Sequence, residues 1–188
     1  LKIRPKWREA DSMSALADYD GAEFDLVLSC PPYYDLETYS DDDRDLSNLA
    51  TYEGFLNSYE TVIRAAVEKL RDHRFVAWVV SEIRDPKLGS CRGFVPDTVE
   101  IFERAGLALF NEMTLVQPVC TGTLKVSRTF AKGRKVCRVH QNVLVFVKGN
   151  AEKALEELGP IEEGSLPLDE ESAEDPTGAE AEPIGGEI

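Results

Sequence analysis

A double proline between a short apolar run and two tyrosines is the feature of this sequence best suited to chemistry. Residues 26–28 predict a strand buried on both faces, and Pro31–Pro32 then remove two backbone donors and force the chain out of the sheet. The loop keeps its carbonyl acceptors, and Tyr33 and Tyr34 add aromatic faces. Because ligands of open α/β sheets bind at the carboxyl ends of strands, this loop suits a flat heterocycle that carries an amino group.

A positively charged segment is the second feature with chemical consequences. The chain of 188 residues has a net charge of −14, yet no acidic residue lies between Met113 and Asn150, where seven basic residues occur. Basic side chains interleaved with an aromatic ring could hold a nucleic-acid backbone and touch bases. A solvated surface loop is the alternative explanation. The residues predicted to contact nucleic acid are Tyr34, Arg128, Phe130, Lys132, Arg134, Lys135 and His140.

Strand and helix patterns alternate along the part of the chain that must position these residues. The pattern predicts strands at 24–29, 75–80, 109–116 and 142–147, with helices at 52–70 and 96–105. This alternation predicts an α/β fold with a mostly parallel sheet. The last two strands have no helix between them and could pair antiparallel at one edge. The 117–141 loop that joins them is long for a loop without structure of its own, which is typical of functional loops.

Composition divides the chain into one domain, 1–150, and an acidic tail, 151–188. The tail holds thirteen acidic residues and one lysine; a short helix at 151–158 is expected, followed by disorder. Four cysteines without a CxxC pair argue against structural zinc and for a reducing compartment. We find no membrane-spanning run and no secretory signal, so the expected location is the cytoplasm.

The double-proline loop resembles a known catalytic motif. Ser29-Cys30-Pro31-Pro32-Tyr33 is similar to the motif of the amino-group DNA methyltransferases, which methylate adenine N6 or cytosine N4 with S-adenosylmethionine. The residues that follow it, together with the segment 140–146, resemble DNA methylases common in phages and prophages. The resemblance covers about residues 7–150. It implies a Rossmann-like S-adenosylmethionine-dependent methyltransferase fold, DNA as partner, and a bacterial or phage-encoded enzyme of the restriction-modification type.

The resemblance also implies a role for each residue of the motif. An exocyclic amine attacks a sulfonium methyl only when acceptors aimed at its N–H groups free its lone pair. The Pro31 carbonyl would be one acceptor, and Tyr33 would stack on a flipped base. Cys30 stands where the family usually has Asp, Asn or Ser, and a thiol is a weak acceptor, so Ser29 or Asp35 could help. A nucleophilic Cys30 is a less favoured alternative. The catalytic set is Ser29, Cys30, Pro31, Pro32 and Tyr33.

The cofactor site is expected to be incomplete. The family binds S-adenosylmethionine with a glycine-rich turn after its first strand, and no such turn is visible here. The opening segment 7–12 resembles the third motif, in which Asp11 would approach the adenine amine; the predicted cofactor residues are Asp11, Ser12 and Ser29. We therefore expect the first strands of the methylase to be missing. The exposed sheet edge could be completed by an amino-terminal segment or a second copy.

Several alternatives remain open at this point. The chain could be a nucleic-acid binder without catalysis, or it could methylate RNA or a protein glutamine. The residues are compatible with either adenine or cytosine as the target base.

Three further residues have expected places in the fold. Glu82, at the end of the second strand, could line the pocket or form a surface salt bridge. Trp7 and Trp78 are expected in the core.

Overall fold

A mixed four-stranded sheet lies at the centre of the structure. The computed structural model describes residues 5–116, 126, 129–136 and 138–160. The strands are β1 (Phe24–Ser29), β2 (Leu70–Val80), β3 (Leu107–Val116) and β4 (His140–Lys148), in the order β1-β2-β4-β3. β1 and β2 are parallel, and β4 is antiparallel to both of its neighbours. The predicted α/β class and the antiparallel pairing of the last two strands are confirmed, and three of the four strands share one direction.

Two long helices connect the strands. These are α2 (Tyr52–Lys69) and α3 (Phe94–Arg104), preceded by the short α1 (Ser12–Ala15), while a further helix, Ala151–Leu158, follows β4 where the sequence predicted it. Thr51 caps α2 by accepting a hydrogen bond from the Gly54 N–H at 3.1 Å. Gly93 precedes α3 with φ of 91°, a left-handed conformation that glycine adopts without strain. None of the described helices is long and apolar enough to cross a membrane.

Both long helices contribute aromatic side chains to the core. Tyr59 of α2 is fully buried; its Oη accepts a hydrogen bond from Trp78 Nε1 at 2.6 Å and lies 3.2 Å from Thr98 Oγ1 of α3. Thr98 Oγ1 in turn donates to the Phe94 carbonyl at 2.8 Å. This chain of hydrogen bonds ties β2 to both helices and satisfies polar groups that would be costly to bury alone.

Two burial predictions are wrong. Leu26 and Leu28 of β1 are 57% and 69% exposed, although the strand was expected to be buried on both faces. Within the described residues β1 pairs with β2 alone, so no described strand lies along its other edge. Trp7, expected in the core, is 90% exposed, whereas Trp78 is 3% exposed as predicted.

The 117–141 segment has some structure of its own, contrary to the prediction. Residues 129–133 are helical, and β4 already begins at His140. Residues 117–125, 127, 128 and 137 lie outside the described residues, as does the tail from 161, for which disorder was predicted.

Candidate functional site

Three chain segments meet at one rim of the sheet. The parallel strands β1 and β2 end there, followed by Pro31–Pro32 and by Ser81–Glu82. The antiparallel strand β4 starts at the same rim, because Val80 pairs with Asn142. The topology therefore brings the double-proline loop beside residues more than a hundred positions later in the chain.

Tyr33 links these segments through its hydroxyl. The Oη donates to the Val79 carbonyl at 3.3 Å, accepts from Gln141 Nε2 at 3.1 Å, and lies 3.6 Å from Cys30 Sγ. The ring is 9% exposed and packs edge-on against Phe94. Burial, with a smaller contribution from Cys30, raises the pKa of Tyr33 far above its ordinary value. The hydroxyl therefore stays neutral and serves as a hydrogen-bonding group.

The other motif residues differ in accessibility. Pro31 is buried and Pro32 partly buried, while Ser29 is half-buried and Cys30 is an exposed free thiol. The Cys30 sulfur, in the position where the resembled motif usually has a strong acceptor, is thus reachable from solvent. Residues 30–33 leave β1 without regular secondary structure, and the short helical turn Tyr34–Leu36 follows them.

Tyr34 is held inside the protein. It is 6% exposed, and its ring lies 5.5 Å from that of Tyr52 and 5.4 Å from that of Phe55. Its φ of 51° is unusual for a residue with a large side chain. A stacking contact with nucleic acid would require the ring to leave these neighbours, so the predicted contact at Tyr34 stays a prediction.

One cavity, here named the Asp11 cavity, lies on one side of the double proline and has a volume of about 700 Å³. The charged groups in its lining are mostly acidic: four carboxylates and one guanidinium. Asp11 Oδ1 accepts a hydrogen bond from the Met13 N–H at 2.9 Å and so caps α1. The Arg44 guanidinium lowers the pKa of Asp42 to about 2. The lining residues are Glu9, Ala10, Asp11, Ser12, Met13, Pro32, Ser40, Asp42, Arg44, Asp45 and Leu46.

A second cavity, the Tyr33 cavity, lies at the other end of the motif and measures about 760 Å³. Two arginines, a histidine and one carboxylate give it a more positive lining than the Asp11 cavity. Glu82 lines this cavity and does more: its Oε1 accepts hydrogen bonds from the backbone N–H groups of Ile83, Gly93 and Phe94 at 2.8 to 3.1 Å, which caps α3. The lining residues are Tyr33, Leu36, Ser81, Glu82, Ile83, Arg84, Cys91, Val136, Arg138, Val139, His140 and Gln141.

The predicted cofactor residues are divided between two cavities. Asp11 and Ser12 line the Asp11 cavity together with Pro32. Ser29 instead lines a third, mainly apolar cavity of about 360 Å³ beside β1, and Ser12 also reaches this cavity. Of the three predicted cofactor residues, Ser12 lines both cavities, so it lies between Asp11 and Ser29.

Four of the predicted nucleic-acid residues lie on one short segment, 130–135, whereas Tyr34 and His140 lie elsewhere. The Phe130 ring is 46% exposed, and the Arg134 guanidinium lies 5.4 Å from its centre. Lys132 is exposed on the same helical segment, and Lys135 is half-buried. His140 lies apart from this group, in the lining of the Tyr33 cavity. Arg128 lies outside the described residues.

Two residues at the site were not predicted as members of it. Gln141 contacts Tyr33, and an amide at the start of the last strand could have suggested this position. Arg92 packs against Tyr34 and pairs with Asp35, which is 57 residues earlier in the chain. No local pattern in the sequence indicates that pairing. Among the described residues, no group of three or more His, Cys, Asp or Glu side chains could hold a metal ion.

Comparison with known proteins finds similarity only among solved structures. No protein-family model matches the sequence, and no curated protein matches it significantly. Among solved structures, a candidate DNA modification methylase from Thermus thermophilus is 19% identical with a TM-score of 0.55, over 75% of this chain and 52% of that one. Its complex with S-adenosyl-L-methionine gives 18% identity and a TM-score of 0.54, over 74% and 54% of the two chains.

A second enzyme has a similar structure. The PvuII DNA methyltransferase, which is cytosine-N4-specific, is 14% identical with a TM-score of 0.54, over 80% of this chain and 53% of that one. The chain thus has the α/β fold of these methyltransferases, matched over part of their length. It spans about half the length of the solved structures it resembles.

Proposed function

We propose that this chain carries out methyl transfer from S-adenosylmethionine to an exocyclic amino group of adenine or cytosine in DNA. The observation that carries the proposal is the place of the double-proline motif between an acidic and a more positive cavity. Pro32 lines the Asp11 cavity and Tyr33 lines the Tyr33 cavity. A group transfer needs two ligands to meet at one point, and the motif lies where two such ligands would meet.

The acidic cavity suits the proposed cofactor. S-adenosylmethionine carries a sulfonium and an ammonium group, and the lining of the Asp11 cavity has four carboxylates against Arg44. Asp11 would hold one of those positive groups, whereas Asp42 is already paired with Arg44 at 2.7 Å. When bound, the cofactor would supply an activated methyl group. The structurally similar protein from Thermus thermophilus was solved in complex with S-adenosyl-L-methionine, which supports this cofactor for the fold.

The residues of the motif would prepare the amine. The carbonyl of Pro31 accepts a hydrogen bond from the amino group, which favours the pyramidal form with a free lone pair. Tyr33 holds the loop to β2 and β4 through Val79 and Gln141. Its ring is buried against Phe94, so the stacking on a flipped base that the resemblance implies stays a prediction. Cys30 contributes a weak acceptor, and the half-buried Ser29 is next to it.

The Tyr33 cavity would receive the substrate. Arg84, Arg138 and His140 give it cationic and hydrogen-bonding groups for a phosphate near the flipped nucleotide. Phe130 and Arg134, a few positions before Arg138 in the chain, offer an aromatic face and a positive charge. The assignment to DNA and not RNA, a phage or prophage origin and a role in restriction-modification rest on the resemblance in sequence alone.

The test is methyl transfer by single-residue variants. Radiolabelled transfer from S-adenosylmethionine to unmethylated DNA should fall at least about tenfold in Pro32→Ala and Tyr33→Ala, since misplacement of the acceptor loop lowers the rate steeply. Tyr39→Phe is the matched control, because Tyr39 is 60% exposed and its hydroxyl bonds to nearby Glu37. Circular dichroism must show that the variants are folded. Transfer at the unmodified rate in Tyr33→Ala would contradict the proposal. DNA binding without transfer or cofactor affinity would favour the non-catalytic binder.

A further inference from the structure

We infer that Arg92 is a positioning residue, which holds the proposed catalytic loop, residues 30–33, in place through contacts with Tyr34 and Asp35. The inference rests on the proposed function for its catalytic consequence, but its structural part stands on contacts alone. Arg92 follows β2 at the end of an arm, Ile83–Arg92, whose two sides are joined by a backbone hydrogen bond from the Arg92 N–H to the Ile83 carbonyl at 2.9 Å. The arm lines one side of the Tyr33 cavity through Ile83, Arg84 and Cys91.

The guanidinium of Arg92 connects three separate segments. Its carbon lies 5.1 Å from the ring centre of Tyr34 and 5.2 Å from that of Tyr52, which is cation–π distance. Nη2 pairs with Asp35 at 3.4 Å, and Nη1 pairs with Asp85 at 2.9 Å. The loop after β1, the start of α2 and the arm after β2 therefore converge on one side chain, which is 13% exposed.

Asp85 holds the Arg92 guanidinium in a defined position. Its Oδ1 accepts hydrogen bonds from the backbone N–H groups of Lys87 and Leu88 at 2.8 and 2.9 Å. These two bonds, with a smaller effect of Arg92, lower the pKa of Asp85 below its ordinary value. The carboxylate is thus charged and oriented at neutral pH, and it holds Nη1 in place. The guanidinium carbon is thereby held within 5.2 Å of the ring centres of both Tyr34 and Tyr52.

The loop needs these contacts from Arg92 because its backbone is strained at Tyr34. Tyr34 has φ of 51°, a left-handed conformation that costs energy for a residue with a Cβ. Such conformations persist when the surrounding contacts determine them fully. Tyr34 immediately follows the motif, and the next turn is closed by the Leu36 N–H bonding to the Tyr33 carbonyl at 3.2 Å. Contacts to the Tyr34 ring therefore set the direction in which the chain leaves Pro31–Tyr33.

Arg92 occupies this place at an energetic cost, which argues against an incidental contact. Its Nε is buried without a hydrogen-bond partner among the described residues. An unsatisfied buried donor is unfavourable, so the remaining contacts must hold the side chain there. A lysine could keep the charge, but it lacks the two terminal nitrogens through which Arg92 pairs with Asp35 and Asp85.

The experiment compares Arg92→Met and Arg92→Lys with the matched control Arg104→Met. Arg104 also pairs with two carboxylates, those of Glu60 and Glu100, but it lies at the end of α3 and both of its partners lie on helices, not on the loop after β1. Steady-state methyl transfer is measured at a temperature where all variants are folded. Amide hydrogen exchange of the peptide covering residues 33–37 is measured on the same samples.

The expected result is a selective loss. Arg92→Met lowers kcat by about 10- to 100-fold with KM for S-adenosylmethionine changed less than about threefold, because a displaced acceptor affects the reaction more than binding. Arg92→Lys recovers part of kcat, Arg104→Met stays within about twofold, and exchange at 33–37 rises about tenfold in Arg92→Met alone. Either an unchanged kcat or an unchanged exchange rate at 33–37 in Arg92→Met would overturn the inference.

The two proposals fail in different ways. If the unmodified protein transfers no methyl group, the proposed function fails, and the role of Arg92 is decided by hydrogen exchange alone. If the unmodified protein is active while Arg92→Met keeps full kcat, the proposed function stands and the positioning role is refuted.

Discussion

Removing one hydroxyl from the core should weaken the whole scaffold beneath the site. Tyr59→Phe keeps the ring but deletes the Oη that accepts from Trp78 Nε1 at 2.6 Å. Trp78 is 3% exposed, so its N–H would be left buried without an acceptor. Such a group costs about 1–3 kcal/mol, whereas Thr98 can still donate to the Phe94 carbonyl. We expect the free energy of unfolding to fall by about 2 kcal/mol.

Urea unfolding followed by tryptophan fluorescence and circular dichroism measures this change. With a slope of about 2 kcal/mol per molar urea, the midpoint should move down by about 1 M. Tyr39→Phe is the matched control; Tyr39 is exposed, so its free energy of unfolding should change by less than about 0.5 kcal/mol. A midpoint for Tyr59→Phe equal to that of Tyr39→Phe would refute the reasoning, since it would mean that the hydrogen-bond chain contributes nothing.

Three further predictions concern ligands and pH. Asp11→Asn keeps an N-cap side chain but removes a charge, so calorimetry should show about three- to tenfold weaker S-adenosylmethionine binding, with Asp41→Asn unchanged; equal affinities would contradict the acidic-cavity assignment. Arg134→Gln should reduce the slope of log affinity for DNA against log salt by about one, and an unaltered slope would exclude a phosphate contact. The Arg74 guanidinium lowers the pKa of Glu157 below its usual 4.5, so Glu157→Gln should reduce the melting temperature at pH 7 and lose this effect as the pH falls to about 3; a difference that persists there would be contrary evidence.

Elements with a strong apolar pattern were predictable from the sequence. β1 has the predicted bounds, and α2 ends one residue before the predicted Leu70. β2 begins at Leu70, five residues before the predicted Phe75. The prediction missed residues 71–74 because this polar run has no strand-like alternation. Its pairing there depends on tertiary contacts: Arg74 pairs with Lys148 in the sheet and forms ion pairs with Asp25 and Glu157.

The site was predictable in its motif and not in its surroundings. A double proline after an apolar strand indicates a ligand loop from local rules alone. The insertion of β4 between β2 and β3, which brings Gln141 to Tyr33, depends on long-range pairing that no local pattern encodes. Arg92 shows the same difficulty, since its partners Tyr34 and Asp85 lie on different segments. The burial of Tyr34 likewise follows from packing against α2.

Identifying the methylated nucleoside is the measurement that tests the central claim most directly. Unmethylated DNA is incubated with the protein and S-adenosylmethionine, digested to nucleosides and analysed by mass spectrometry, with Tyr33→Ala as the blank. The account predicts N6-methyladenine or N4-methylcytosine that is absent from the blank. A ring-carbon product such as 5-methylcytosine, or no methylated nucleoside from a folded protein that binds the cofactor, would contradict it.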